Sequence, residues 1–268
     1  DLVRSRGLGD VYKRQGFVFA PSLLAQAEVD VLTADLDAIL AEEPDPQRVI
    51  REKDGTTPRT VVNPHLHRDV YARLVRHPAL LATVEALLGE QVYAFQMGVN
   101  CKAAFAGDVW FWHQDYPAYL EDDHIPTPRM VNALIFLDEV THYNGPLMIV
   151  PGSHLIEDTP DTSDQGTSYT LRYTGNDLIK SEVERGGIVT PTGAAGSIIF
   201  MNPNALHGSG ANLSPWPRRL ITLTLNAITN KATAPTTRSR DIVMDDTDTP
   251  PLEALGEDCL LAGAASAD

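Results

Sequence analysis

Cysteine and long apolar runs are both scarce in this chain. Its 268 residues include two cysteines, Cys101 and Cys259. Two cysteines do not make a disulfide framework, and their spacing fits no zinc-binding pattern. We therefore expect reduced thiols and a cytoplasmic protein. No run approaches the roughly 18 apolar residues that a membrane helix requires.

Positive charge is also scarce, since 21 basic side chains face 36 acidic ones and the formal net charge is −15. A surface this negative repels phosphate backbones and anionic lipid. We expect no nucleic-acid partner, no membrane and a small-molecule substrate. A polyanionic acyl-CoA is disfavoured, whereas a small zwitterion is compatible because a few local groups override the mean field. The sequence predicts no particular oligomeric state.

The first fifteen residues lack an initiator methionine, helical periodicity and the apolar run of a secretory signal. We interpret residues 1–15 as a non-native leader outside the fold. Residues 16–268 then form one domain, with a helical part over 22–89, a strand-rich part over 90–230 and a tail over 231–268.

Apolar spacing changes from helical to strand-like near Gly89. Before it, helices are predicted from Ser22 to the Glu43-Pro44 stop, from about Arg68 to Arg76, and from Pro78 to Leu88. After it, strands are predicted over Val92–Cys101, Val109–His113, Met130–Leu137, Leu147–Val150, Ser197–Met201 and Leu220–Ala227. Helices followed by strands indicate an α+β fold with helices packed on a β-sandwich or barrel. The polar segment 155–190 is long enough to be a lid over an active site.

Two His-x-Asp triplets occur, at His113/Asp115 and at His67/Asp69. On a strand, residues i and i+2 share a face, so His113 and Asp115 could reach one metal ion. The other triplet opens a predicted helix, where Asp69 is more simply a first-turn carboxylate. Alone, even the first triplet would fit a half-buried histidine beside an exposed aspartate.

A third residue, His207, makes the metal interpretation the stronger one. It follows a predicted strand in a glycine-rich turn. Two histidines and one carboxylate form the facial triad of non-heme Fe(II) oxygenases, which leaves coordination positions open for a co-substrate and O2. Arg218, eleven residues later, offers a planar charged fork for the far carboxylate of 2-oxoglutarate. The sequence thus predicts an Fe(II)- and 2-oxoglutarate-dependent oxygenase that releases succinate and CO2.

The same residues resemble the phytanoyl-CoA dioxygenase superfamily. The resemblance rests on Trp112-His113-Gln114-Asp115-Tyr116, Asn144-Gly145-Pro146-Leu147, Pro151-Gly152-Ser153-His154, and His207-Gly208-Ser209-Gly210 through Pro217-Arg218. It implies a double-stranded β-helix, or jelly roll, with helices on one side. Within the superfamily the chain is most similar to bacterial hydroxylases of free proline, which implies trans-4-hydroxylation of L-proline.

By position, the resemblance implies that His113, Asp115 and His207 bind iron. It implies that Arg218 and Ser209 bind 2-oxoglutarate, and that Gln96 and Asn100 line the pocket of that co-substrate. Further candidates on the substrate side are Tyr116, Tyr119 and Arg129, whereas Lys102 is expected to face solvent and His154 to be a turn residue. Halogenating relatives leave the position of Asp115 vacant for chloride, so hydroxylation is favoured here.

Some features leave alternatives open. Relatives acting on proline or ectoine often carry Trp where this chain has Tyr119, so the substrate could be an ectoine-like compound or a natural-product precursor. A jelly-roll binding protein without redox chemistry is a further alternative. A zinc hydrolase would also need a general base near the metal, and the sequence offers none that is recognisable.

Overall fold

The structure is a computed structural model that describes residues 6–42, 47–156, 161–164, 171–238 and 249–262. The helices are α1 (Arg6–Gln15), α2 (Gln26–Glu42), α3 (Asp69–Leu74), α4 (Pro78–Leu88), α5 (Tyr116–Glu121) and α6 (Asn176–Gly186). The strands are β1 (Phe17–Ala20), β2 (Val49–Arg51), β3 (Pro58–Val62), β4 (Val92–Lys102), β5 (Trp110–His113), β6 (Met130–Phe136), β7 (Leu147–Ile149), β8 (Asp161–Asp164), β9 (Leu171–Thr174), β10 (Ile198–Met201), β11 (His207–Ser209) and β12 (Arg218–Ala227). No described helix has both the length and the apolar character to cross a membrane.

Most strands belong to two antiparallel sheets. The large sheet has the order β1-β10-β6-β12-β4-β3-β2, and the small one has the order β5-β11-β7. β8 and β9 pair with each other in a separate two-stranded sheet. Antiparallel sheets with helices beside them are the α+β jelly roll that the sequence predicted.

Strand alternation gives the large sheet two different faces. On β12, Ile221, Leu223 and Leu225 belong to the core cluster that also contains α2 to α4. Leu220 lies in a second cluster, which it shares with Ile149 of the small sheet. Since successive residues of a strand point to opposite faces, one face of the sheet packs on helices and the other faces the small sheet.

Local signals explain where the helices begin and end. Pro78 is the first residue of α4, a position where its missing N–H is harmless. Gly89 ends the helix at φ 77°, a left-handed conformation that glycine adopts without strain. At the start of α2, the Glu28 carboxylate accepts a hydrogen bond from the Ala25 N–H at 2.8 Å, which satisfies one of the donors that a helix leaves open.

Residues 6–15, which we interpreted as part of a non-native leader, pack against the rest of the fold. Residues 6–15 form α1, and Tyr12 is buried in the main core. The Gly152 N–H also donates to Gln15 O at 3.0 Å. The predicted stop of α2 at Glu43-Pro44 lies outside the described residues, as do 157–160 and 165–170 of the predicted lid.

The described part of the tail is packed rather than loose. Cys259 and Leu260 are buried in the main core, and the Leu252 N–H donates to Val92 O at 2.8 Å. Strands β2 and β3 lie within the segment 22–89, where helices were expected.

Candidate active site

A cavity of about 270 Å³ opens between the large sheet and the small sheet, near the lower end of the range for ligand pockets. Its polar lining includes His113, Asp115, His207, Ser209, Arg218, Gln96, Asn100, Tyr119, Asp122, Thr222 and Arg238. Apolar surface comes from Val62, Trp110, Leu134, Leu147 and Leu220. The cavity therefore combines apolar surface with a set of convergent polar and charged groups, as small-molecule sites do.

Strand pairing brings the two predicted histidines together. β5 and β11 are antiparallel neighbours, and His113 and His207 are register partners. Their ring centroids lie 4.2 Å apart. His207 therefore lies on a strand, not in the turn that its glycine-rich surroundings suggested, and this strand fixes its position beside His113.

Asp115 reaches the histidines by a different route from the one predicted. β5 ends at His113, and Asp115 is the residue before α5, with φ −80° and ψ −35°. The strand alternation used to place it on the same face as His113 does not apply. Instead, its N–H donates to Pro203 O at 2.9 Å, and its Oδ2 accepts from Asn132 Nδ2 at 2.6 Å. These two bonds turn the carboxylate towards the histidines.

Both imidazoles are oriented by backbone carbonyls. His113 Nδ1 lies 2.6 Å from Phe111 O, and His207 Nδ1 lies 3.0 Å from Ala205 O. A carbonyl oxygen only accepts, so each Nδ1 carries a hydrogen, and Nε2 is the ring nitrogen left to bind a metal ion. The Nε2 atoms lie 3.4 Å from Asp115 Oδ1 and 3.8 Å from Asp115 Oδ2, respectively.

This donor set fits a divalent cation. The three ligand atoms lie within 4.8 Å of one another, and ligands about 2 Å from a shared metal ion are about 3 Å apart when adjacent. Burial and the neighbouring His113 lower the pKa of His207 to about 4, so its imidazole is neutral at pH 7. Burial opposes ionisation of Asp115, but both histidines and Asn132 lower its pKa. A neutral imidazole and an ionised carboxylate are the forms that bind metal.

Arg218 lies at the cavity with its guanidinium buried. Nε and Nη2 donate to Gly145 O at 3.1 and 2.8 Å, and Nη2 lies 3.4 Å from Ser209 Oγ. Burial lowers its pKa to about 10, so it stays charged at pH 7. Among the residues that the structure describes, no carboxylate lies within ion-pair distance of it. A buried cation requires an anionic partner, and a carboxylate of 2-oxoglutarate fits that requirement.

The other predicted site residues divide into two groups. Gln96, Asn100 and Tyr119 line the cavity. Tyr116 does not: it packs in a small aromatic cluster, and its hydroxyl donates to Ile125 O at 3.2 Å. Arg129 is exposed and forms an ion pair with Glu90. Tyr116 and Arg129 therefore do not line the cavity.

Lys102 was expected to be exposed, and this prediction is wrong. Its side chain is 1 % exposed, and Nζ donates to Asp108 O at 2.5 Å and to Gly210 O at 2.6 Å. Burial, with Arg218 and Arg59 nearby, lowers its pKa to about 6. Lys102 thus connects the segment before β5 to the segment after β11, and these two strands carry the histidines.

Two further residues at the site were not predicted from the sequence. Arg238, in the tail, lines the cavity, and its Nε donates to the buried Asp123 at 2.9 Å. Asn132 lies in the middle of β6 and binds Asp115. The polar amide in an otherwise apolar strand was the one available hint.

The residues set aside by sequence reasoning lie away from the cavity. His67 is exposed, and Asp69 forms an ion pair with Arg73 within α3 at 3.2 Å. His154 Nε2 lies 3.1 Å from Lys13 O. In the described ranges, His113, Asp115 and His207 are the one group of three that brings metal-binding atoms together.

Comparison with known proteins finds relatives that are named as dioxygenases or hydroxylases. Ectoine dioxygenase from Bordetella bronchiseptica is 33 % identical over 236 residues, which cover 84 % of this chain and 76 % of that protein. L-proline trans-4-hydroxylase from Streptomyces griseoviridis is 34 % identical over 254 residues, or 91 % of this chain and 94 % of that one. The crystal structure of EctD from S. alaskensis with 2-oxoglutarate and 5-hydroxyectoine has a TM-score of 0.82 at 27 % identity, covering 94 % of this chain and 88 % of that chain. The same protein with bound Fe has a TM-score of 0.83 at 27 % identity, with the same coverage.

The match to a family model covers most of the chain. The model of phytanoyl-CoA dioxygenase (PhyH) matches residues 12–220. The chain therefore belongs to the phytanoyl-CoA dioxygenase family, and its sequence-based assignment as an Fe(II)- and 2-oxoglutarate-dependent dioxygenase is confirmed.

Proposed function

We propose that this enzyme hydroxylates a small zwitterionic metabolite of the ectoine kind, with L-proline as the second candidate. Its class is that of iron- and 2-oxoglutarate-dependent hydroxylases of small metabolites. The observation that carries the proposal is a cavity with the three-ligand group at its wall and two guanidiniums, those of Arg218 and Arg238, in its lining.

In this proposal His113, Asp115 and His207 hold Fe(II) through the two Nε2 atoms and a carboxylate oxygen. Arg218 and Ser209 bind the distal carboxylate of 2-oxoglutarate, and Asn100 lines the same part of the pocket. When bound, iron and 2-oxoglutarate react with O2 to give succinate and CO2 and to insert one oxygen atom into a C–H bond. The residues of the chain bind and orient the metal ion, the co-substrate and the substrate, and they exclude water. No acid–base pair is required.

Arg238 and Tyr119 support a zwitterionic substrate. The Arg238 guanidinium is held by the buried Asp123 and lies 5.5 Å from the Tyr119 ring. Asp122 lines the same cavity. A guanidinium suits the carboxylate of a small substrate, and Asp122 offers the opposite charge for its nitrogen.

The relatives favour ectoine over the L-proline that the sequence motifs suggested as the first choice. Most of the similar proteins compared are ectoine dioxygenases, and the similar structures include EctD with 2-oxoglutarate and 5-hydroxyectoine and EctD with bound Fe. Proline stays as the second candidate because the proline hydroxylase matches over more of both chains. Tyr119, where such enzymes often have Trp, changes the volume and polarity of the pocket for either substrate.

Succinate release tests the proposal. Purified protein is incubated with Fe(II), ascorbate and 2-oxoglutarate, separately with ectoine, L-proline and a panel of other free amino acids. We expect substrate-dependent succinate with ectoine, and none from His113→Ala, which lacks a metal ligand. Turnover with proline alone would select the second candidate, and absence of turnover with any zwitterion would reject the proposed substrate class.

A further inference from the structure

A row of polar side chains crosses the centre of the large sheet on the face towards the cavity. Asn132 of β6 is the register partner of Thr224 of β12, and Thr224 is the register partner of Gln96 of β4. Asn132 and Thr224 are 0 % exposed. Burying an amide and a hydroxyl is unfavourable unless each is hydrogen-bonded. The hydrogen-bond partners of these side chains therefore account for their burial.

At one end the row reaches the carboxylate of the candidate metal site. Asn132 Nδ2 donates to Asp115 Oδ2 at 2.6 Å. Asn132 Oδ1 accepts from Thr224 Oγ1 at 2.8 Å. The Thr224 hydroxyl has one hydrogen, which it gives to Asn132, so it can only accept from its other neighbour.

At the other end the row reaches Arg238. The Tyr119 hydroxyl lies 3.5 Å from Thr224 Oγ1, the longest link, and must donate there. It accepts from Gln96 Nε2 at 2.9 Å, and Gln96 Oε1 accepts from Arg238 Nη2 at 3.3 Å. Every bond thus points the same way, from a guanidinium to a carboxylate.

A one-way chain between opposite charges has two physical consequences. Each bond polarises the next, which strengthens the last donor in the series. That donor, the Asn132 amide, occupies Asp115 Oδ2, whereas Oδ1 lies 3.4 Å from His113 Nε2. The chain therefore distinguishes the two carboxylate oxygens, and reserves one of them for a metal ion.

We propose that Asn132, Thr224, Tyr119 and Gln96 form a positioning relay that holds Asp115 as a ligand through one oxygen and connects it to Arg238 at the substrate side of the cavity. The proposal rests on the proposed function, in which Asp115 binds iron. None of Asn132, Thr224 or Gln96 touches the metal in this scheme, so their role is to orient a group that does. A carboxylate fixed through one oxygen leaves coordination positions for 2-oxoglutarate and O2.

The metal affinity of the apoprotein, measured with Co(II) by titration calorimetry and without substrate, tests the relay. Thr224→Val keeps the shape of the side chain but removes the hydroxyl that orients Asn132. Loss of a direct partner of a metal ligand typically weakens metal binding 10- to 100-fold. We expect that range for Asn132→Leu, and roughly a 3- to 10-fold rise in Kd for Thr224→Val, which acts one bond further away.

Two variants serve as controls. Thr224→Ser retains the hydroxyl and should bring the Co(II) Kd to within about twofold of the unmodified protein. Thr83→Val removes a buried hydroxyl that donates to Ala79 O within α4, away from the cavity, and should leave the Kd unchanged. The absorption bands of bound Co(II) give an independent readout, because a carboxylate that changes its mode of binding shifts them whereas a loss of stability does not.

The outcomes separate the relay from the proposed function. If the unmodified protein binds Co(II) and both Thr224→Val and Asn132→Leu bind it equally well, the relay is overturned while the metal site stands. If the unmodified protein binds no Co(II), both proposals fail. If Thr224→Val does not fold, Asn132→Leu decides alone.

Discussion

Arg218 and Arg219 are adjacent in sequence and differ completely in surroundings. Arg218 points to the cavity side of β12, where its guanidinium meets Gly145 O and Ser209 Oγ. Arg219 points to the other face, where it forms ion pairs with Asp138 and Asp37. Strand alternation alone produces this difference, and it makes Arg219 a matched control for Arg218.

The substitution Arg218→Lys should raise the KM for 2-oxoglutarate. It keeps the charge but loses the planar fork that binds a carboxylate through two bonds. One lost bond between charged groups corresponds to about 1.5–3 kcal/mol, so we expect a rise of roughly 10- to 100-fold. Steady-state assays at varied 2-oxoglutarate measure it. Arg219→Lys should leave this KM unchanged, and an equal rise in both variants would contradict the assignment.

Lys102 makes the stability of the protein depend on pH. Its pKa is about 6 in the folded chain, whereas the ordinary value for a lysine in water is 10.5. Between these values the unfolded chain binds the proton more strongly than the folded one, so the stability contributed by this residue rises with pH. The slope is at most about 1.4 kcal/mol per pH unit.

Urea denaturation at pH 7, 8 and 9 measures the free energy of unfolding. The difference between the unmodified protein and Lys102→Met should grow in favour of the unmodified protein as pH rises through this window. A difference that is constant with pH would mean that the lysine stays charged when folded.

Secondary-structure elements with strong local sequence signals were predictable. Strands that form only by pairing with distant parts of the chain were not. α4 has Pro78 at its start and Gly89 after its end, and both of its predicted ends are correct. β2 and β3 are short and carry charged residues, so nothing in their sequence marked them as strands. The pairing of β3 with β4 comes from long-range contacts.

The same distinction holds within the site. His113, His207 and Arg218 were predictable because motifs mark them, although the strand that positions His207 was not. Lys102 was missed because its acceptors are carbonyls of two loops, which a sequence does not show. Arg238 was missed because the path of the tail after β12 cannot be read from residue types.

The helix α1 should contribute to stability as an element of the fold. Tyr12 is 6 % exposed, and its hydroxyl lies 3.4 Å from Met130 O. Removing a large aromatic side chain from a core typically destabilises by about 3–5 kcal/mol. We expect a loss of that size for Tyr12→Ala in urea denaturation, and a loss of about 1 kcal/mol for Tyr12→Phe, which removes only the hydroxyl. Unchanged stability of Tyr12→Ala would show that residues 6–15 stand outside the cooperative fold.

The whole molecule carries a formal charge of −15. This charge disfavours binding of phytanoyl-CoA, the acyl-CoA thioester after which the family is named. A CoA thioester brings several phosphate charges, and like charges repel over about 10 Å at 0.1 M salt. We expect no succinate release with phytanoyl-CoA at low salt, under conditions where a zwitterionic substrate turns over. Succinate release from the thioester at low salt would contradict this expectation. Turnover with the thioester that increases with salt would indicate that repulsion was the main barrier and that the pocket accepts it.

The pairing of β5 with β11 has a consequence for how the protein unfolds. His113 and His207 are register partners from segments far apart in the chain. An ion held by both imidazoles and by Asp115 would act as a reversible cross-link that closes this long loop and ties the small sheet together. A chelator would then abolish activity and also lower stability, because removing the ion removes a cross-link that holds these short strands together in addition to their backbone hydrogen bonds.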